Sequence, residues 1–170
     1  MESAIIVDVE TTGLSVRGGG RVIEVGVVLI EQGKITAEME TLIDSGASIS
    51  YNAFRIHGIS QQTLTGHPKP EEVWPKFLEF VGNFPLVAHN APFDSAFIRH
   101  ELNLCGLPLS SNWHCTVRLS RRKLPHLPNH KLDTVYRYLF GTFPVGTQRH
   151  RALDDARMAA RVWMDLMNGV

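Results

Sequence analysis

The N-terminal quarter of the chain has the hydrophobic pattern of β-strands. Residues 3–10 form a run rich in β-branched side chains, which predicts a strand. Two further apolar runs, residues 21–31 and 34–43, flank Gln32-Gly33, and a glycine-containing pair between two such runs is typical of a β-hairpin. We therefore expect three consecutive strands here, of which the second and third are antiparallel.

The pattern changes to that of helices after residue 70. Apolar residues such as Val73, Trp74 and Phe77 recur at helical spacing, and this predicts a helix over residues 71–82. Residues 85–88 are a short apolar run that predicts a buried strand. The other predicted segments are loops at 11–20 and 121–130, an irregular region with short helical turns at 44–70, and helices at 93–104, 131–140 and 151–168. A hairpin followed by alternating strands and helices indicates an α/β fold with a mixed sheet.

Length, composition and charge narrow the class of protein. With 170 residues, 44% of them apolar, the chain can fill one core, so we expect a single domain over residues 1–170. The 17 basic and 17 acidic residues give a formal net charge of zero, which disfavours a protein that coats duplex nucleic acid non-specifically. A neutral total is compatible with an enzyme that holds only a few nucleotides.

The cysteines and the N-terminal segment indicate a cytoplasmic protein. Cys105 and Cys115 are too few for a disulfide framework and lack the spacing of a zinc site, so we expect reduced, buried thiols. The first apolar run, about four residues, is shorter than the apolar region of a signal peptide. No segment approaches the roughly 18 apolar residues of a membrane helix, so we expect no membrane partner.

Asp8 and Glu10 interrupt the end of the first predicted strand. Residues two apart on a strand point to the same face, so these carboxylates lie side by side while Val7 and Val9 point to the opposite layer. Adjacent carboxylates at the end of an apolar strand repel each other and lose solvation, and a hard divalent cation would neutralise both. Two solvated acids at a strand end are the alternative interpretation.

Two more acids begin predicted helices. Asp94 ends the segment His89-Asn-Ala-Pro-Phe-Asp94 and lies on a helical face that continues through Ile98 and Leu102. An acid that points toward an apolar face suggests a function, although a first-turn acid is also favoured by the helix dipole alone.

On the last predicted helix, the pattern separates two neighbouring acids. Asp155 lies beside the core-facing stripe, whereas Asp154 aligns with a solvated edge that contains Met158, Arg161 and Asp165. The stripe itself consists of Ala152, Ala156, Ala159, Trp163 and Leu166. His150 precedes this helix, where it is either free to reach a substrate or an ordinary surface histidine.

Taken in order, these segments resemble one known family. The segments Asp8-Val-Glu-Thr-Thr-Gly13, His89-Asn-Ala-Pro-Phe-Asp94 and His150-Arg-Ala-Leu-Asp-Asp155 resemble the motifs of the DEDDh 3′→5′ exonucleases, the group that includes proofreading subunits of bacterial DNA polymerases. Residues 53–59 resemble the substrate-side helix turn of that family. The resemblance extends from residue 5 to about residue 165.

The resemblance implies a ribonuclease H-like fold, in which helices flank a five-stranded mixed sheet. It also implies a two-metal exonuclease, with two divalent cations, Mg²⁺ or Mn²⁺, bound by Asp8, Glu10, Asp94 and Asp155. His150 would be the general base, a role that suits the unperturbed imidazole pKa of ~6.5.

The resemblance further implies a pocket for the 3′-terminal nucleotide. Its expected members are the backbone of Thr11, Thr12, Gly13 and Leu14, the side chain of His57 at the sugar, and Phe93 as a stacking ring. Asn52 stands where proofreading subunits often carry a glutamate, and its amide would meet the 3′-hydroxyl. The cations of Arg118, Arg121, Arg122 and Lys123 either attract the nucleic-acid backbone or form a solvated charge run.

We therefore expect an exonuclease that acts on the 3′ end of single-stranded or frayed DNA and releases 5′-mononucleotides. Three alternatives stay open. The same chemistry would suit an exoribonuclease that trims RNA 3′ ends, because discrimination depends on contacts to the 2′-hydroxyl. The chain would also suit a proofreading module that acts mainly within a DNA polymerase or repair complex. A catalytically inactive binding domain is disfavoured because all five catalytic positions are retained.

Overall fold

The computed structural model describes residues 3–169, which form a mixed five-stranded sheet with helices on both faces. The strands are β1 (Ala4–Thr11), β2 (Val22–Glu31), β3 (Lys34–Leu42), β4 (Leu86–Ala88) and β5 (Trp113–Cys115). Their spatial order is β3-β2-β1-β4-β5; β2 is antiparallel to both β1 and β3, whereas β4 and β5 are parallel to β1. The predicted α/β fold of ribonuclease H-like architecture is confirmed.

The helices are α1 (Tyr51–His57), α2 (Gln61–Leu64), α3 (Pro70–Val81), α4 (Ala91–Leu104), α5 (Thr116–Lys123), α6 (Leu132–Phe140) and α7 (Ala152–Asn168). A short 3₁₀ turn, Val16–Gly18, lies in the loop after β1. The predicted hairpin is confirmed: Gln32 and Gly33 both have positive φ, at 50° and 75°, as a two-residue type I′ turn requires. Within the described residues, no helix is both long and apolar enough to cross a membrane.

Alternation along β1 divides the core into two layers. Ile5, Val7 and Val9 point to the layer formed with α3 and α4, whereas Ala4 and Ile6 point to the layer formed with α6 and α7. Asp8 and Glu10 continue the second set, so both carboxylates emerge on the face that α7 covers.

Gly26 on β2 sets how closely α7 approaches the sheet. It is the cross-strand partner of Asp8, and a Cβ atom added to it would lie 2.3 Å from the backbone carbonyl carbon of Ala152. Any larger residue would push the first turn of α7 away from β1 and β2. The glycine therefore brings the helix that carries Asp155 directly against the strand that carries Asp8.

Three features of the structure differ from the sequence prediction. Residues 121–130 were expected to be a loop, but α5 extends to Lys123 because Leu119, Ser120 and Leu124 are buried against the α7 layer. The three-residue strand β5 has no hydrophobic period in the sequence, because it is too short, and it is specified by its parallel pairing with β4. Cys105 and Cys115 are free thiols as expected, yet both are partly exposed rather than buried.

Candidate active site

The four predicted carboxylates come from three elements that meet at one end of the sheet. Asp8 and Glu10 lie at the carboxyl end of β1, Asp94 lies in the first turn of α4 directly after β4, and Asp155 lies in the first turn of α7. Asp94 and Asp155 are buried, with 3% and 6% of their surface exposed, while Asp8 and Glu10 are half-buried.

Burial holds the pKa values of Asp8, Glu10 and Asp94 far above their usual range. Burial raises the pKa of Asp8 well above its normal value, and the neighbouring Asp94 and Glu10 charges raise it further. Burial and the Glu24 carboxylate raise the pKa of Glu10 to about 8. Burial raises the pKa of Asp94 to about 8. Such a cluster ionises at neutral pH only if positive charge enters it.

The donor set fits divalent cations. Among the described residues, Glu10, His150 and Asp155 each offer a ligand atom, and these atoms lie within 4.8 Å of one another. Glu10 also belongs to the group of mutually repelling carboxylates with Asp8 and Asp94. Carboxylate oxygens are the ligands that Mg²⁺ and Mn²⁺ prefer. Glu10, His150 and Asp155 therefore form a group that could hold a cation, and Asp8 and Asp94 are further carboxylates near it.

Arg149 is the cation closest to this cluster. Its guanidinium contacts the carboxylates of Asp155 and Asp133, and it lowers the pKa values of Asp8 and Glu10 in opposition to their burial. The sequence reasoning did not identify this arginine, although it directly precedes the motif histidine. Its contact with Asp155 would have to loosen for that carboxylate to bind a metal.

A buried acid on β2 fixes the start of α7. Glu24, which faces Glu10 across the strands, accepts hydrogen bonds from Arg151 Nε at 2.9 Å and from the Ala152 N–H at 3.0 Å. Its side chain is fully buried, so this charge-assisted anchor holds the first turn of α7 to the sheet. The sequence pattern alone does not predict this role for Glu24. The signal was present as an acid within an otherwise apolar strand.

Left-handed backbone conformations precede both helices that carry buried acids. Asn90 has φ 75° before α4, and His150 has φ 62° before α7. Residues other than glycine rarely adopt this region, and such residues cluster at functional sites. The His150 N–H donates to Asp155 Oδ2 at 3.3 Å, so Asp155 itself supports the turn that presents the histidine.

The His150 side chain is exposed and faces the carboxylates. Burial of part of the ring lowers its pKa below 6.5, and the positive charge of Arg149 lowers it further. The imidazole is therefore neutral at pH 7 and able to accept a proton.

The structure separates Asp155 from Asp154, as the helical stripe predicted. Asp154 is half-buried, accepts from the Gln148 N–H at 2.8 Å and pairs with Arg157 at 3.0 Å, away from the other acids. One predicted neighbour was wrong: Met158 is 1% exposed and belongs to the core rather than to a solvated edge.

The predicted nucleotide pocket begins directly after Glu10. The Thr12 N–H donates to the Arg21 carbonyl at 2.9 Å, its hydroxyl accepts from the Arg21 N–H at 2.9 Å, and its carbonyl accepts from Ser50. Arg21 in turn forms a two-pronged ion pair with the buried Glu101 of α4. Gly13 is half-buried and Leu14 is 76% exposed. The hydrogen-bonded part of the loop therefore presents the apolar Leu14 side chain to solvent.

Of the other predicted pocket residues, His57 contacts this loop. The Ile59 N–H donates to His57 Nδ1 at 3.0 Å, so Nε2 carries the proton and donates to the Thr11 carbonyl at 3.2 Å. Nε2 thus attaches α1 to β1, while Nδ1 fixes the turn that follows α1. Asn52 is exposed on α1, and the half-buried Phe93 ring packs 4.9 Å from that of Phe97.

His89 has a positioning role that its motif did not reveal. Its ring nitrogens contact Thr116 Oγ1 at 2.7 Å and the His130 carbonyl at 2.9 Å, and burial lowers its pKa to about 4. The neutral ring therefore links the end of β4 to α5 and to the loop before α6. These elements form a cavity of about 750 Å³ beside Asp8 and Asp155.

Comparison with known proteins agrees with this geometry. A family model described as Exonuclease matches residues 5–163. The DNA polymerase III subunit epsilon of Rickettsia conorii is 35% identical over 171 residues, covering 97% of this chain and 74% of that protein. The PolC-type DNA polymerase III of Clostridium perfringens is 38% identical over 158 residues, which cover 93% of this chain but only 11% of that protein.

Solved structures show the same fold. Exonuclease X in complex with 5′ overhanging duplex DNA is 32% identical, with a TM-score of 0.79, and the match covers 97% of this chain and 91% of that one. The nuclease domain of 3′hExo, a DEDDh family member bound to rAMP, shares the fold with a TM-score of 0.81 at 19% identity, covering 98% of this chain and 92% of that one. The chain therefore belongs to the exonuclease family.

Proposed function

We propose that this exonuclease removes nucleotides from the 3′ end of single-stranded or frayed DNA and releases 5′-mononucleotides. The observation that carries the proposal is the group of buried, repelling carboxylates between the Thr12 loop and an open cavity of about 750 Å³. A strand that ends in the loop would lay its last phosphodiester over Asp8 and Asp155. The rest of the strand would leave through the cavity.

Asp8, Glu10, Asp94 and Asp155 would hold two divalent cations, Mg²⁺ or Mn²⁺. The close approach of Glu10, His150 and Asp155 supports one cation site here, and the resemblance to two-metal exonucleases supports the second. When bound, the cations supply positive charge to the phosphodiester and activate a water molecule. Glu24 and Gly26 would keep Asp155 at the correct distance from Asp8.

His150 would accept the proton of the attacking water through a ring nitrogen. Its neutral state at pH 7 and its position beside Glu10 and Asp155 support this role. The same position would also allow His150 to bind a metal, so the two roles require separate measurements.

The loop of Thr11, Thr12, Gly13 and Leu14 would receive the terminal nucleotide. The hydrogen bonds from Arg21 and Ser50 hold this loop in place, so its free backbone groups are preorganised. Phe93 and the exposed Leu14 would contact the base, and Asn52 would meet the 3′-hydroxyl. Since both His57 nitrogens are engaged by the backbone, we propose that the histidine supports the pocket and contacts the sugar only through its ring edge.

DNA is the favoured polymer and RNA the alternative. Exonuclease X, solved with DNA, is 32% identical to this chain, whereas 3′hExo, solved with rAMP, is 19% identical. The relatives named as epsilon and PolC-type proteins further support work alongside a DNA polymerase, as a proofreading or repair activity.

Matched oligonucleotides test the substrate. In Mg²⁺, we expect mononucleotides to be released fastest from single-stranded DNA, more slowly from duplex DNA with a 3′ mismatch, and most slowly from a fully paired blunt duplex. RNA of the same sequence should react more slowly. Faster degradation of RNA than of DNA would favour RNA trimming, and equal rates on paired and mismatched ends would contradict the need for an unpaired terminus.

A further inference from the structure

We propose that the exposed face of α5 binds the phosphodiester backbone of the strand upstream of the scissile bond. This face consists of Arg118, Arg121 and Arg122, and we call it the α5 arginine face. The proposal rests on the proposed function, because it describes where the rest of that substrate strand lies.

The three arginines share one side of the helix. Spacings of three and four residues bring side chains onto one helical face, and all three are exposed. Among the described residues, none of the three appears in an ion pair, whereas Arg21, Arg149, Arg151 and Arg157 are all paired with acids. In a chain of zero net charge, this face therefore carries uncompensated positive charge.

The α5 arginine face connects the carboxylate site to two concave surfaces without acids. Arg121 lines the cavity that contains Asp8 and Asp155. Arg118 lines a groove of about 370 Å³ with Arg99 of α4, and it also lines a cavity of about 620 Å³ with Arg122. No aspartate or glutamate lines the groove or the cavity of about 620 Å³, which we call the second cavity.

The chemistry of these surfaces fits a phosphodiester chain. A planar guanidinium donates two parallel hydrogen bonds to phosphate, and unpaired arginines need no prior contact to be broken. Arg118 and Arg122 lie roughly 6 Å apart along the axis of α5, which matches about two phosphates of a stacked strand at roughly 3.4 Å each. The exposed His114 ring, which packs 5.5 Å from Trp163 in the second cavity, offers a platform for a base.

Substrate length separates this surface from the catalytic centre. We would compare the p-nitrophenyl ester of thymidine 5′-phosphate, a mononucleotide, with DNA oligonucleotides of increasing length. The test variant is Arg118→Gln/Arg122→Gln, and the matched control is Lys34→Gln/Lys76→Gln, which removes the same charge from exposed lysines on the β2–β3 hairpin and on α3.

In the wild type, kcat/KM should rise with length and then level off. The test variant should lower the ratio of kcat/KM for a long oligonucleotide to that for the mononucleotide by roughly tenfold, as expected for two exposed charge contacts. The salt dependence of log(kcat/KM) should become shallower by about 1.4, at about 0.7 per lost phosphate contact on a single strand. The control variant should keep the wild-type length and salt dependence.

Two outcomes are distinguishable. A wild-type enzyme that hydrolyses both substrates while the test variant keeps its length and salt dependence overturns the role of the α5 arginine face. A wild type inactive on every substrate overturns the proposed function instead. In that case, fluorescence anisotropy of a labelled dT oligonucleotide in EDTA still tests the surface: unchanged affinity in the arginine variant would overturn it as well.

Discussion

At the scale of single residues, function depends on which carboxylates face the interior of the site. Asp154 and Asp155 are adjacent, but Asp155 is buried beside Glu10 and His150, while Asp154 pairs with Arg157 near the surface. A carboxylate can help to bind a catalytic metal only where other metal ligands lie close to it. Asp154 and Asp155 therefore make a matched pair for mutagenesis.

Asp155→Asn should lower kcat by roughly 10²–10³-fold. A neutral amide would hold the cation less well, and that cation stabilises the negative charge that develops on the phosphodiester in the transition state. Asp154→Asn should stay within about threefold of the wild type, since exposed ion pairs contribute only about 0–1 kcal/mol. Steady-state hydrolysis of a labelled oligonucleotide, with circular dichroism as the folding control, measures both. Equal losses in two folded variants would show that the faces of α7 are wrongly assigned.

His150→Ala should reduce turnover by roughly 10²–10⁴-fold while metal affinity stays near that of the wild type. Because burial and Arg149 lower the His150 pKa, the acidic limb of the wild-type pH–rate profile should fall below pH 6.5, and this limb should disappear in the variant. Calorimetric titration with Mn²⁺ supplies the second readout. A loss of metal affinity as severe as that of Asp8→Ala would make His150 a ligand instead of a base.

The chain pattern identified the four acids because each breaks an apolar period at a motif position. It did not reveal Arg149, Glu24 or Gly26. Their importance comes from contacts between segments far apart in sequence, such as the approach of Ala152 to Gly26. No local period encodes such a contact, although the acid within the β2 strand was a visible irregularity.

At the scale of elements, the position of α7 on the sheet determines the site. Its first turn rests on Gly26 and is held by Glu24, whereas α5 only borders the cavity. Long periodic elements such as α3 and α7 were predictable, while α5 and β5 were not. Tertiary packing of Leu119 and pairing with β4 decide those two.

Gly26→Ala should destabilise the protein by about 1–3 kcal/mol and reduce activity, because the added Cβ atom would collide with the backbone of α7. Gly13→Ala is the stability control, since a Cβ atom at that position meets nothing within 4 Å. Guanidinium denaturation measures the free energies of unfolding. A Gly26→Ala protein as stable as Gly13→Ala would contradict the close approach of α7 to β2.

At the scale of the whole molecule, the buried acids link stability to pH and metal. The pKa values of Glu10 and Asp94 are raised to about 8, so between roughly pH 4 and 8 the folded protein holds protons that the unfolded chain has released. The raised pKa of an acid therefore makes the folded state lose stability as pH rises through this window. A bound cation would remove the penalty, because it stabilises the ionised cluster.

We therefore expect the Tm of the metal-free protein to fall between pH 5 and pH 8 in EDTA, and Mg²⁺ to raise it most at pH 8. Asp94→Asn should flatten the pH dependence, because one of the raised carboxyl groups is gone. Differential scanning calorimetry measures each Tm. A metal-free Tm that rises over this pH range would contradict the description of the site as a strained, protonated carboxylate cluster.

The central claim is that the carboxylate cluster makes this chain a metal-dependent 3′→5′ exonuclease. Its most direct test is digestion of one single-stranded DNA carrying a label at either the 3′ or the 5′ end. The account predicts that in Mg²⁺ the 3′ label is released at once as a mononucleotide, while the 5′-labelled strand shortens stepwise. EDTA or Asp8→Ala should stop both reactions. Undiminished digestion in EDTA, or release of the 5′ label first, would contradict it.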